Sequence, residues 1–545
     1  MPGNALFSSI SGTSAEHCPD YGAWDTRRGG CMRGQVLTVR LLTYARAHLH
    51  LEESDVIYLR NVLLSEFGCT EPYDGEGDAV EIEEMEVPDI LADEVKAYAM
   101  ENGLCTEETA ARYVADIFGL LSPLPSAVNR TFRAIRETDG AQAACDYLYD
   151  LCVKNGYIQK TAIARNLKWD FSDGERRLEI TVNLSKPEKN NRDIAKLLTA
   201  PQSKKYPACA LCKENEGFEG TATHPPRRNL RTVKLTVGGE RWFLQYSPYA
   251  YYDEHCIVIN EQHTPMKVDA HTPGKLLDFV DFLPNYFIGS NASLPIVGGS
   301  ILNHEHFQGG LHLMPMHYAK IARAYISPEF PTLNIGILDW YNSAVQCEGK
   351  DRAAVEAFAA KVIEAWRNYD DPACEILSHT GETPHNTVSP ICRKTERGYI
   401  FTMILRNNRT SETYPNGIFH VHPEYENIKS EGIGLIEAMG LFILPPRLKR
   451  QFAEMEAILT GETPYDPAKI EDPANDLYVH RNMLGTLMAG GLAHDRAEAE
   501  ERVRAYVNRV CAGILENTAV FKHDATGDAG FAAFLRTLGL EEKRV

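Results

Sequence analysis

The sequence lacks any apolar run approaching the roughly 20 residues a bilayer requires, so no membrane helix is expected. Its first residues, Met1-Pro-Gly-Asn-Ala-Leu-Phe-Ser-Ser9, carry no charged segment followed by an apolar core, and no secretory signal is expected. A basic excess is lacking too. With 56 Lys and Arg against 75 Asp and Glu, the net charge is −19, which argues against the basic footprint that nucleic-acid binding relies on. A nucleotide ligand needs only a local positive pocket and stays open. Cysteine is present, but not as a framework: thirteen residues, an odd number scattered over a long chain, suit reduced thiols. These absences together predict a cytoplasmic protein.

What is there has the composition of a soluble globular protein, 44% hydrophobic and 24% charged. A chain of 545 residues exceeds one ordinary core and predicts about two to four structural units. Residues 1–34 are small, polar and glycine-rich, which predicts a flexible lead-in. Residues 35–190 read as a helical N-terminal region, with an apolar stripe through Val36, Leu37, Leu41 and Ala45 and a second helix opened by Ser54 as its cap. Within it, residues 71–94 are strongly acidic and read as a solvated loop. The stretch Arg177-Leu-Glu-Ile-Thr-Val-Asn-Leu184 alternates like a strand.

The densest chemistry lies in Leu294-Pro-Ile-Val-Gly-Gly-Ser-Ile-Leu-Asn-His-Glu-His-Phe-Gln-Gly-Gly310. Its apolar start, its glycine pair and its continuation into Leu311-His-Leu-Met-Pro-Met316 read as strand, tight loop, strand. Alternation on an extended chain would point His304, His306 and Gln308 the same way. A neutral imidazole can attack phosphorus, and a carboxamide N–H can hold an oxygen on which charge builds. The plainer alternatives are a core strand with satisfied histidines or a lone metal site.

This segment resembles the active-site signature of the class II galactose-1-phosphate uridylyltransferases (UTP–hexose-1-phosphate uridylyltransferases), a branch of the histidine-triad superfamily. Similar patches occur at Leu178-Glu-Ile-Thr-Val-Asn-Leu-Ser-Lys-Pro-Glu-Lys189 and Ile428-Lys-Ser-Glu-Gly-Ile-Gly-Leu-Ile-Glu-Ala-Met-Gly-Leu441. The resemblance implies that His306 is a covalent nucleophile and that Gln308 is the hydrogen-bond partner of the uridylyl phosphate. It places Gly298, Gly299 and Ser300 at the substrate. It also implies exchange of UMP between UDP-glucose and galactose 1-phosphate through a uridylyl-histidine, no organic cofactor, and a homodimer. One departure is Glu305, where the class I branch has proline between the two histidines. Superfamily hydrolases carry a third histidine where this chain has Gln308, which favours transfer over the rival reading of a nucleotide hydrolase or phosphorylase. A zinc-stabilised binding protein without turnover would have no need of His306 or Gln308.

Tyr206-Pro-Ala-Cys-Ala-Leu-Cys212 holds a Cys-x-x-Cys pair, half a zinc site or a redox pair. Mapped by motif from class I relatives, the resemblance nominates Cys209, Cys212, His263 and His304 as a closed, structural zinc site; two buried thiols and two ordinary histidines are the alternative. In His224-Pro-Pro-Arg-Arg-Asn-Leu-Arg231, Arg227 and Arg231 offer donors to a phosphate. Further on, Phe419-His-Val-His-Pro423 would set His420 and His422 on one strand face, echoing the first pair. With His385 they are expected to be structural histidines, since no carboxylate partner can be placed. The expected architecture is α+β: a duplicated histidine-triad-like antiparallel sheet core with an added N-terminal helical region and C-terminal helices. The first half spans 191–316 and carries the signature, the second spans 317–450, and helices fill 451–545.

Overall fold

A computed structural model describes residues 27–75, 79–185, 206–221, 224–299 and 301–543. The chain divides into two compact units, Met1–Met85 with Ile90–Val114, and Glu86–Asp89 with Ala115–Val545. The smaller unit is helical. Helix Arg27–His48 begins inside the stretch expected to be a lead-in, and only residues 1–26 of that stretch lie outside the described residues. Leu41 and Ala45 on it and Leu63 on helix Val56–Glu66 are fully buried. Ser54 caps nothing: a short 3-10 turn, Glu53–Asp55, precedes that helix instead. The acidic stretch is not a single loop, because helix Ala79–Glu83 and the start of helix Asp89–Glu101 fall within it. Acidic residues in a first turn favour a helix start, and Ile82, Leu91 and Val95 supply the buried side.

The larger unit holds the strands. The hairpin β1 (Leu167–Asp173) and β2 (Arg176–Val182) is followed by β3 (Val233–Val237), β4 (Glu240–Tyr246) and β5 (Cys256–Asn260). Next come β6 (Phe287–Gly289), β7 (His306–Gly310), β8 (Ile321–Ile326), β9 (Asn334–Leu338) and β10 (Ala344–Gly349). The last are β11 (His379–Thr380), β12 (Thr383–Pro384), β13 (Asn386–Thr395), β14 (Gly398–Asn407), β15 (Leu441–Leu444) and β16 (Glu541–Glu542). Eleven of them form one antiparallel sheet in the order β16-β8-β9-β10-β14-β13-β6-β7-β5-β4-β3.

That order is a duplication. The run β3-β4-β5-β7-β6, with helix Thr272–Phe282 between β5 and β6, is repeated as β8-β9-β10-β14-β13, with helix Arg352–Arg367 between β10 and β13. The halves join where β6 pairs with β13, Ile288 facing Cys392. Local sequence explains the pieces. Val233-Lys-Leu-Thr-Val237 buries every second residue. The two-residue turn into β4 is Gly238-Gly239, both at positive φ, as a tight hairpin with right-twisted strands requires. Asp351 caps its helix by accepting from the backbone N–H groups of Ala353 and Ala354.

A second, three-stranded sheet, β1-β2-β15, packs with the C-terminal helices. Leu178, Phe442, Met455, Val507 and Ile514 belong to one buried apolar cluster. Helix Arg496–Thr518 starts on the cap Asp495, whose side chain accepts from the Glu498 N–H. The helical region read as 35–190 is therefore split, and its part after Val114, hairpin included, lies in the unit that holds the sheet. Among the described residues no helix is long and apolar enough to cross a membrane.

Candidate active site

Strand β7 sits near the centre of the large sheet, flanked by β5 and β6. Alternation sends His306 and Gln308 to one face, where both line a cavity of about 960 Å³. Phe307 goes to the other face and stacks on Trp242 at 4.8 Å, with the Lys275 ammonium over that indole. The signature was expected to be strand, tight loop, strand. Instead residues 290–299 and 301–305 are outside the sheet, only His306–Gly310 is strand, and 311–314 are not. His304 therefore precedes the strand, and it meets the thiols of Cys209 and Cys212.

The His306 ring is nearly fully buried, 6% exposed. Its Nδ1–H donates to the His304 carbonyl oxygen at 2.8 Å, which leaves the lone pair on Nε2. Burial pushes this imidazole below its ordinary pKa, and His304 adds to that; the bond to the His304 carbonyl opposes it. A neutral ring with a free lone pair is the nucleophilic form. Gln308 accepts at Oε1 from His255 Nε2–H, 3.1 Å away. Its amide N–H₂ remains for a ligand.

The loop above the strand needs its glycines. A Cβ on Gly298 would lie 2.6 Å from the carbonyl oxygens of Ala292 and Leu294, and one on Gly299 would lie 2.7 Å from Asn291 Nδ2. Ile296, on the same loop, sits at φ 72°, a costly conformation for a β-branched residue that tends to mark functional sites. Ile296, Gly298, Gly299 and Asn291 all line the cavity. Ser300 lies outside the described residues.

A further part of the wall comes from residues 429–437. Lys429 is 5% exposed in its side chain; its Nζ donates to the Ile443 carbonyl at 3.0 Å and pairs with Glu437 at 3.1 Å. Burial alone would lower this lysine's pKa, but Glu437 and Glu431 hold it above the usual value, so it is a cation. Asn291 accepts at Oδ1 from the Leu435 N–H at 2.8 Å and ties the two parts of the wall together.

Cys209, Cys212, His263 and His304, nominated from the sequence, are brought together with their ligand atoms all within 4.8 Å of one another. Cys209 Sγ lies 3.6 Å from Cys212 Sγ and 3.2 Å from His304 Nδ1, and Cys212 Sγ lies 3.1 Å from His263 Nδ1. His304 Nε2–H donates to the Asn260 carbonyl at 2.8 Å, the kind of bond that fixes a metal-binding ring nitrogen. Two thiols and two oriented imidazoles form a set that could hold a zinc ion.

The two arginines are elsewhere. Arg231 is buried and spends its guanidinium on backbone carbonyls of Gly119, Ser122, Pro123, Arg228 and Leu230, so it knits a loop. Arg227 lies over the Tyr157 ring at 5.4 Å, and neither lines the cavity. His420 and His422 lie in irregular backbone after β14, so they share no strand face. His385 is satisfied by Asn408 and Thr380, and His422 by the Ile418 carbonyl. His420 departs from expectation, since both ring nitrogens are buried without a hydrogen-bond partner among the described residues.

Sequence reasoning missed His255, Asn291, Lys429 and Glu437. The last two stand in a stretch already noted for its resemblance, but nothing local says that this stretch faces β7.

Residues 50–265 match the family model described as galactose-1-phosphate uridyl transferase, N-terminal domain, and residues 280–465 match its C-terminal domain. Curated relatives bearing the name galactose-1-phosphate uridylyltransferase run almost the full length. The one from Caldanaerobacter subterraneus is 41% identical over 92% of this chain and 98% of its own. That of Halalkalibacterium halodurans is 40% identical over 91% and 97%, and that of Clostridium acetobutylicum 38% over 92% and 99%. A solved yeast Ap4A phosphorylase aligns over 62% of this chain and 90% of its own with a TM-score of 0.31 and 10% identity, too slight a likeness to carry an argument. On its matched domains and near full-length relatives, the chain belongs to the galactose-1-phosphate uridylyltransferase family.

Proposed function

We propose that the protein exchanges UMP between UDP-glucose and galactose 1-phosphate, yielding UDP-galactose and glucose 1-phosphate, with His306 as the covalent carrier. The observation that carries this reading is the free Nε2 lone pair of His306 on a cavity wall, with Nδ1–H committed to the His304 carbonyl. In the first step Nε2 attacks the α-phosphorus of UDP-glucose. An N–P bond forms, the P–O bond to glucose 1-phosphate breaks, and the leaving anion carries the electron pair. In the second step a phosphate oxygen of galactose 1-phosphate attacks the uridylyl-histidine, the N–P bond breaks, and UDP-galactose leaves. No proton moves. Nδ1–H stays on its carbonyl acceptor and stabilises the positive ring of the intermediate.

Gln308 N–H₂ donates to a non-bridging phosphate oxygen, where charge builds in each transition state. Lys429 supplies a fixed positive charge for the anionic substrates. The loop at Gly298 and Gly299 lets backbone approach the ligand closely. Cys209, Cys212, His263 and His304 would hold a zinc ion in a structural part, since four such ligands make a closed set; His304, one of the four, offers the carbonyl that orients His306. Free thiols among the described cysteines suit a reducing, cytoplasmic setting. A homodimer is the assembly inferred, and the native mass in solution tests it.

The exchange is checked by initial rates with both substrates varied. Parallel double-reciprocal lines, with UDP-glucose alone releasing a single equivalent of glucose 1-phosphate and sustained turnover only when both substrates are present, are expected of the double displacement. Intersecting lines would point to direct transfer in a ternary complex.

A further inference from the structure

We propose that His255 is a positioning residue, whose ring N–H holds the Gln308 carboxamide with its N–H₂ end, and not its oxygen, towards the reacting phosphate. The inference rests on the uridylyl-transfer reading above. A glutamine amide rotates about a broad, two-fold terminal torsion. Left alone it presents donor and acceptor ends alike, and an oxygen facing a phosphate repels it. Something has to choose, and among the described residues the one side-chain hydrogen bond of Gln308 is the 3.1 Å contact with His255 Nε2.

The surroundings of His255 make that choice one-sided. Its ring is 2% exposed and lies against two tyrosine rings, Tyr251 at 5.2 Å and 25° and Tyr252 at 4.6 Å and 38°. The Tyr252 hydroxyl is itself tied to the Gly309 carbonyl, next to Gln308. His255 Nδ1 is buried and has no hydrogen-bond partner among the described residues. With the proton on Nε2, the ring donates to Gln308 Oε1 and leaves only a lone pair unmet. With the proton on Nδ1, a buried N–H donor would be orphaned, which folded proteins avoid more strictly than an unmet acceptor. Nε2–H is therefore the favoured form, and it fixes the amide by its oxygen. Burial holds this imidazole down to about 4, so the ring stays neutral at working pH and keeps a single N–H.

The test is a double-mutant cycle on the first half-reaction, uridylylation of the enzyme by UDP-glucose, with His255→Phe, Gln308→Ala and the pair. Phenylalanine keeps a flat ring against the tyrosines and removes the donor. His255→Phe alone is expected to lower kcat on the order of 100-fold, as expected for a misplaced transition-state contact, with little change in KM. In the Gln308→Ala background it should cost nothing further, because the group it orients is gone. His255→Gln, which keeps an N–H donor, should restore most of the rate. An equal loss in both backgrounds, or no loss from His255→Phe alone, overturns the proposal. Wild-type enzyme that forms no uridylyl adduct overturns the underlying transfer reading instead, so the two failures are distinct.

Discussion

The two halves of the large sheet have the same topology and different chemistry. At the joint Ile288 faces Cys392; Ile288 also faces Gly309 on β7, and Cys392 faces Phe401 on β14. Carried along that register, His306 and Gln308 correspond to Gly398 and Ile400. Strand β14, Gly398-Tyr-Ile-Phe-Thr-Met-Ile-Leu-Arg-Asn407, bears no histidine at all. The second half contributes instead the segment after β14, with Lys429 and Glu437 lining the same cavity as His306. On the proposed reading the duplicated fold has divided its labour: one copy holds the nucleophile, and the other lines the same cavity with a buried lysine–glutamate pair. A repeated scaffold therefore predicts where a site is built, while individual side chains decide which copy does the chemistry.

Several substitutions would sharpen or break that contrast. The largest effect is expected from His306→Ala, which should abolish exchange and the covalent adduct together in a rate assay with mass detection. Gln308→Ala should follow, lowering kcat by about 100- to 1000-fold if its N–H stabilises the charged transition state; a change confined to KM would contradict that role. Metal removal by a chelator, or Cys212→Ala, should lower the melting temperature and the rate together, since metal binding is coupled to folding and His304 lies between the metal site and the nucleophile. Elemental analysis gives the zinc content to set against the activity. Arg231→Ala should destabilise the protein by at least about 3 kcal/mol, because buried carbonyls lose their donors, while the KM for UDP-glucose of the folded fraction stays unchanged. The smallest effect is expected in the second half: His422→Gln should cost about 1 kcal/mol or less in a denaturant titration, from the bond to the Ile418 carbonyl, and leave exchange intact.

Much of the fold was readable because it is written locally. Alternating burial in β3, the Arg176–Val182 strand and the helices with clear caps follow from patterns a few residues long. The Cys209 and Cys212 pair and the pair His306 and Gln308 were readable because short spacings carry them, whereas His263 and His304 were nominated as metal ligands only through the family resemblance. Two kinds of feature were not. Apposition across long sequence distances, such as Lys429 facing β7, depends on how the two halves close and leaves no local trace. Arg231 shows the other limit: an arginine in an arginine-rich loop suits a phosphate and a knot of backbone carbonyls equally in sequence, and its carbonyl partners at 119–123 are distant in the chain. His255 reads as an ordinary strand-start residue until Gln308 is seen beside it.

The most direct test of the central claim is the intact mass of the protein after brief incubation with UDP-glucose and removal of small molecules. A gain of one uridylyl group is expected in the wild type, discharged by galactose 1-phosphate and absent from His306→Ala. A wild type that turns over both substrates with no such adduct, or a His306→Ala protein that still carries it, would contradict the account.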